Sequence, residues 1–206
     1  MYKKEFKHKL MIEILNQFSS NKDLKQVFKE ALNTLNIEQK NHNRIITYHF
    51  PNHFNDVMSS FNELISIKLK ESIPKKFVQM RVSEKIKYCI ISRLKILNEY
   101  NIDYNYLFKF MLKPSNLIFS KKLLFKISDD IWSFSGDKSL DFNYYSKRLI
   151  LMKNYFLSFR FWINDHSKEK EQTDGFVNDQ LKITSKIGKY KFLFKEGLNN
   201  LRGKFF

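Results

Sequence analysis

The 206-residue chain contains one cysteine, three prolines and five glycines, and its acidic side chains are outnumbered by basic ones, 21 to 37. A single thiol, Cys89, excludes an internal disulfide and any zinc site built from several thiolates. No glycine precedes Gly136, so neither a Walker loop nor a dinucleotide-binding fingerprint exists before that point, and the later glycines are too scattered for either. No uncharged apolar run reaches the ~18 residues of a membrane-spanning helix, because Lys153 and Arg160 interrupt the best candidate. The opening MYKKEFKHKLMIEIL carries Glu5 and Glu13 and reads as an amphipathic helix, not a signal or transit peptide, so the protein is expected to stay where it is made.

What is present is apolar and aromatic: 43% hydrophobic residues, 16% aromatic, 21 of them Phe, which argues against disorder and for one domain with a sizeable core. The formal charge of +16 fits an anionic membrane or nucleic acid. The same wealth of Lys, Asn, Ile, Phe and Tyr is what AT-rich coding DNA produces, so the charge alone names no partner.

No strand alternation persists, and an all-α reading follows. A first helix over residues 4–19 puts Phe6, Leu10, Ile14, Leu15 and Phe18 on one face. Asn21 is placed to cap a second, a third covers 38–49, and Pro51 is placed to open a fourth over 52–72. After a hinge at Pro74, Ser83 is placed to cap a helix running to Glu99, in which Arg93 falls at core spacing and is expected to snorkel at an edge. An aromatic helix over 102–112 stops at Pro114, and another runs 115–135. Gly136 suits the left-handed position after a helix end, and Ser139 or Asp141 can cap the helix that starts near Phe142. That helix, to Asn164, is apolar on nearly every face and demands enclosure by a central position, a partner subunit or a bound apolar molecule. A last core helix carries Phe176, Val177, Leu181, Thr184 and Ile187.

Enzyme chemistry finds no constellation. His49 and His53 are four apart, but Pro51 lies between them and surface positions are expected. The adjacent Asp129 and Asp130 diverge on a helix and cannot face each other as an acid/base pair. Cys89 sits on a core face as an inert thiol. No catalytic or metal-binding residues are assigned.

The stretch DDIWSFSGDKSLDFNYYSKR, followed by an apolar helix and NDHS, resembles the signature of the coenzyme Q (ubiquinone) biosynthesis accessory family. The resemblance implies a TetR-like bundle of about nine helices plus a C-terminal amphipathic helix, no enzymatic activity and no cofactor. It further implies a bound isoprenoid quinone precursor or phospholipid, presented to the demethoxyubiquinone hydroxylase. Residues 1–73 then form a helix-turn-helix-like subdomain, 74–187 the lipid-binding core, and 188–206 a membrane-binding tail. The expected lipid-contacting residues are Ile90, Leu94, Leu97, Leu124, Ile131, Trp132, Phe134, Leu149, Met152 and Phe156. The family's partner-facing patch corresponds to Asp141, Tyr144 and Tyr145, while Arg148 corresponds to a basic position expected to be structural. Most relatives carry a tryptophan where this chain has Tyr144, and TDGF stands in place of their Thr-Trp pair. In the tail, Phe192, Leu193, Phe194, Lys195, Leu198, Leu201 and Arg202 mix apolar and cationic residues as an interfacial helix on an anionic membrane would. A homodimer through the last long helices is expected, peripheral on the inner face of the membrane in a bacterial cytoplasm or a mitochondrial matrix.

The alternative from another class is a TetR-like DNA-binding regulator with a small apolar effector. Its recognition helix, IEQKNHNRIITYH, offers Gln39, Lys40, Asn41, Asn43 and Arg44 to base edges. A solvated polar helix would have the same composition, and nucleic acid is the less favoured partner.

Overall fold

The computed structural model describes residues 4–184. The tail 188–206, with its seven expected membrane-contacting residues, lies outside the described residues, as does Ile187. Nine α-helices and no strand occur among the described residues: α1 (Lys4–Gln17), α2 (Leu24–Thr34), α3 (His42–His49), α4 (Phe54–Glu71), α5 (Val82–Leu97), α6 (Tyr104–Met111), α7 (Leu117–Phe134), α8 (Asp141–Asn164) and α9 (171–184). None of them is long and apolar enough to cross a membrane.

Helices α1 to α3 form a head resting on α4, with α1 packed on both α2 and α4. Helix α4 packs on α5 and α7, and α8 lies along α7 with further contacts to α5 and α6. One continuous core runs from Leu10, Ile14 and Leu15 in the head to Ile90, Ile131 and Trp162 in the body. The aromatic cluster of Phe18, Phe54 and Phe110 joins the two parts, with ring centroids 4.3 Å and 5.2 Å apart along the chain of contacts.

Several helix starts differ from those expected, each for a local reason. Asp23, not Asn21, caps α2, because its carboxylate accepts from the Gln26 N–H at 2.7 Å. The third helix is split: Gln39–Asn41 form a 3-10 turn before α3 proper. Pro51 opens no helix; residues 51–53 are a turn, His53 takes φ 50°, and Asp56 reaches back to the Asn52 N–H at 2.7 Å. Ser83 lies inside α5, whose start is fixed by Glu84 accepting from the Arg81 N–H at 2.8 Å. Neither Ser139 nor Asp141 caps α8, whose N-cap is Leu140 without a side-chain bond.

Two helix ends use the left-handed conformation. After α7, Gly136 takes φ 83°, its N–H bonds to the Ser133 carbonyl and the Asp137 N–H to that of Trp132, a Schellman closure. Asn36 does the same after α2 at φ 55°. A Cβ at Gly136 would meet nothing within 4 Å, so backbone conformation and not space selects glycine there.

Candidate functional site

The acidic and aromatic stretch between α7 and α8 folds into a clamp. Arg148 is 4% exposed. Its Nε donates to Asp129 Oδ1 at 2.7 Å, and one terminal nitrogen donates to Asp137 Oδ2 and to the Tyr144 carbonyl, both at 3.1 Å. The Tyr144 hydroxyl donates to Asp129 Oδ1 at 3.0 Å, and its ring centroid lies 3.4 Å from the guanidinium carbon. Lys147 donates to Asp137 Oδ1 at 2.8 Å and to the Ser139 hydroxyl, and it stands over the Trp132 ring. The Trp132 indole in turn donates to the Lys147 carbonyl at 3.1 Å. Burial works against the charge of Asp137, but the bonds from Lys147, Ser139 and Arg148 prevail and lower its carboxyl to about 2. Gly136 makes this possible by turning the chain so that Asp137 faces back onto α8. Asp130 diverges from Asp129 and ties α7 to α4, accepting from Ser66 and pairing with Lys126, each at 2.8 Å.

Beside the clamp, α4 to α8 enclose a cavity of about 110 Å³. Its walls are almost entirely apolar: Met58 and Phe61 from α4, Leu107, Phe108 and Met111 from α6, Leu123, Leu124 and Ile127 from α7, Phe156 and Phe159 from α8. Aromatic contacts stiffen one side, Phe108 on Phe156 at 5.3 Å and Phe159 on Trp162 at 5.7 Å. One corner is polar, made by Asn62, Arg93 and the Tyr155 hydroxyl. Arg93 does not snorkel: it is 3% exposed and bonded to Asn62 at 2.6 Å, Tyr155 at 3.0 Å and Ser66 at 3.3 Å.

Residues 118–188, which hold most of α7, all of α8 and α9, and so the clamp and the part of the cavity wall that α7 and α8 make, match the COQ9 family. The segment is COQ9-like, and the fold around it is TetR-like. It is similar to the probable ubiquinone biosynthesis protein coq9, mitochondrial, of Dictyostelium discoideum, 30% identical over 108 residues, 52% of this chain and 35% of that protein. It is likewise similar to the mitochondrial ubiquinone biosynthesis protein COQ9 of Bos taurus, 29% identical over 119 residues, 55% of this chain and 37% of the other. The matched segment thus spans little more than a third of either relative. Among solved structures, a TetR transcriptional regulator from Nitrosomonas europaea aligns with a TM-score of 0.62 over 85% of this chain and 96% of its own, at 14% identity. That likeness establishes the fold.

Three of the ten expected lipid residues, Leu97, Leu124 and Phe156, line the cavity. Ile90 and Ile131 are buried but off its wall, and Met152 is half-buried away from it. Leu94 faces a cleft shared with Trp162 and Thr173, and Phe134 a groove with Phe119 and Lys122 between α4 and α7. Trp132 belongs to the clamp. Leu149 is 52% exposed, so the helix taken as apolar all round is enclosed over its second half only. The sequence reading passed over Arg93, Asn62 and Tyr155 as cavity residues; a cation at core spacing was the available signal.

Of the expected partner patch, Tyr145 is exposed whereas Tyr144 is turned into the clamp, and Asp141 starts α8 with its side chain outside the described structure. Arg148 is structural, as expected. Phe142, 81% exposed, and Leu149 join Tyr145 on the open face of α8. His49 is no surface residue: it is buried against Phe6 and Tyr48, and burial followed by the charge of Lys7 lowers its pKa. Burial pushes the Cys89 thiol up to about 12, which leaves it protonated and unreactive at neutral pH. No cluster of three or more metal-ligating side chains occurs among the described residues.

Proposed function

We propose that this chain is a non-enzymatic accessory protein of ubiquinone biosynthesis that binds an isoprenoid quinone precursor, or a phospholipid in its place, and presents it to a demethoxyubiquinone hydroxylase. The carrying observation is that the COQ9 match covers α7 and α8, two of the five helices that wall the apolar cavity. Lipid-binding sites are concave, mostly apolar and sparingly polar, and this cavity has that chemistry. Its volume, about 110 Å³, is below the ~300 Å³ of a small ligand pocket. The cavity as described therefore holds at most a ring with a short chain, and a polyprenyl tail requires its wall to open. Met58 and Met111 on the wall, whose side chains adapt their shape, favour such an opening.

The hydroxylase docks, on this reading, on the first half of α8, where Phe142, Tyr145 and Leu149 are exposed together. The protein works as a homodimer held by its last long helices, peripheral to the inner face of a membrane, with the mitochondrial names of its relatives favouring the matrix side. Organic extraction of protein purified from its own host, followed by mass spectrometry, tests the core of the proposal. An isoprenoid or phospholipid in stoichiometric amount is expected; none at all counts against it.

A second reading, binding of duplex DNA by the head, has one observation for it: Gln39, Lys40, Asn43 and Arg44 are exposed on and just before α3 of a TetR-like fold. Lys40 is paired with Glu38 at 2.7 Å, which reduces the charge offered to phosphate. A mobility-shift assay on a pool of duplexes decides it: steeply salt-dependent retention of one palindromic sequence would favour DNA over lipid.

A further inference from the structure

Arg93 is a cation buried at 3% exposure in a cavity whose other walls are nearly all apolar. Its bonded partners, Asn62, Ser66 and Tyr155, are all neutral. The carboxylate joined to it, Asp130, is reached only through the Ser66 hydroxyl and is already paired with Lys126. Of a guanidinium's five N–H groups three are used, and among the described residues two have no acceptor. An isolated buried charge is costly, and folds normally keep one only beside a counter-charge or a bound group.

We propose that the cavity takes its ligand head first, with an acidic or strongly accepting oxygen of the head group bonded to Arg93 and the apolar remainder directed along Phe108 and Phe156. The specificity this confers is for amphipathic molecules with a carboxylate or acidic hydroxyl on a ring or short chain, ahead of plain hydrocarbon. Asn62 and Tyr155 hold the guanidinium plane and act as positioning residues. The inference rests on the lipid-binding reading and adds to it the chemistry of the head.

Titration calorimetry of the full chain with para-propylbenzoate, para-propylphenol and propylbenzene tests it, since the three share one apolar body. The benzoate is expected to bind at least about ten-fold tighter than propylbenzene, with the phenol between them, as one hydrogen bond to a charged group provides. Arg93→Met, which keeps the bulk and removes the charge, should bind all three alike. Arg93→Lys keeps a charge without the planar fork and should reduce the benzoate preference, which serves if the methionine variant does not fold. Equal binding of the three by the unmodified chain, or a preference unchanged in either variant, overturns the role of Arg93 and leaves apolar binding standing. Failure of all three ligands to bind the unmodified chain overturns both.

Discussion

The two halves of α8 have similar residues and opposite surroundings. In the first, Phe142, Tyr145 and Leu149 are 81%, 59% and 52% exposed, and what holds the helix is Lys147 and Arg148 reaching across to Asp129 and Asp137. In the second, Tyr155, Trp162 and Ile163 are all buried, and ring contacts with α6 replace charge. A helix attached through its polar side can keep its apolar side in water, whereas one attached through its apolar side cannot. The clamp is therefore what allows an apolar face to remain exposed.

The comparison breaks most visibly at Trp162. Trp162→Ala removes a buried ring that touches Tyr104 and Phe159 and should cost about 3–5 kcal/mol by urea denaturation. A loss below about 1 kcal/mol would mean that the second half is not the anchor. Arg148→Met should cost about 3 kcal/mol in the same measurement, because Asp137, its side chain 5% exposed, would keep Lys147 as its one cation, beside the neutral Ser139 hydroxyl. The loss should fall largely away when Asp137→Asn is added.

Acid probes the same clamp. The Asp137 carboxyl is lowered in the fold, so its stabilisation is complete above its ordinary value of 3.8 and disappears as pH falls towards about 2. Roughly 2 kcal/mol should be lost across that window. Asp165 is lowered too, burial notwithstanding, by bonds from Ser167 and Thr173, and it loses its contribution in the same direction. Asp137→Asn should flatten the acid limb of a plot of stability against pH without removing it.

Much of the fold was legible because the residues that specify it act locally. The apolar spacing of α2 and α4, the stop at Gly136 and the divergence of Asp129 from Asp130 need only helix geometry to be read. The cavity was legible in outline and not in membership. Leu149 and Phe156 are equally apolar and seven residues apart, and only the tertiary contact of Phe156 with Phe108 of α6 sends one to the cavity while the other stays in water. Tyr144 misled for another reason: a tyrosine beside a cation fits a docking face or an internal clamp, and the choice depends on Gly136 returning Asp137 towards Arg148. Arg93 was misjudged because snorkelling is the usual fate of a lone arginine at core spacing, and its polar partners come from α4 and α8, far away in sequence.

The smallest stability effect carries the sharpest meaning. Phe142→Ser with Leu149→Ser alters side chains that are already mostly in water, so the midpoint of denaturation should move by no more than about 0.5 kcal/mol. A face that docks an apolar partner nevertheless loses its anchors in that variant, and on the proposed docking of a hydroxylase there the affinity should drop at least ten-fold, as loss of about 1.4 kcal/mol from central apolar contacts would give. Unchanged affinity would separate the exposed face from any docking role, and a large loss of stability would mean that the first half of α8 is enclosed after all, by a second copy of the chain. The serine pair thus distinguishes a face kept open for a different protein from one closed by self-association, because only in the latter does the stability lost by the serine pair vary with protein concentration.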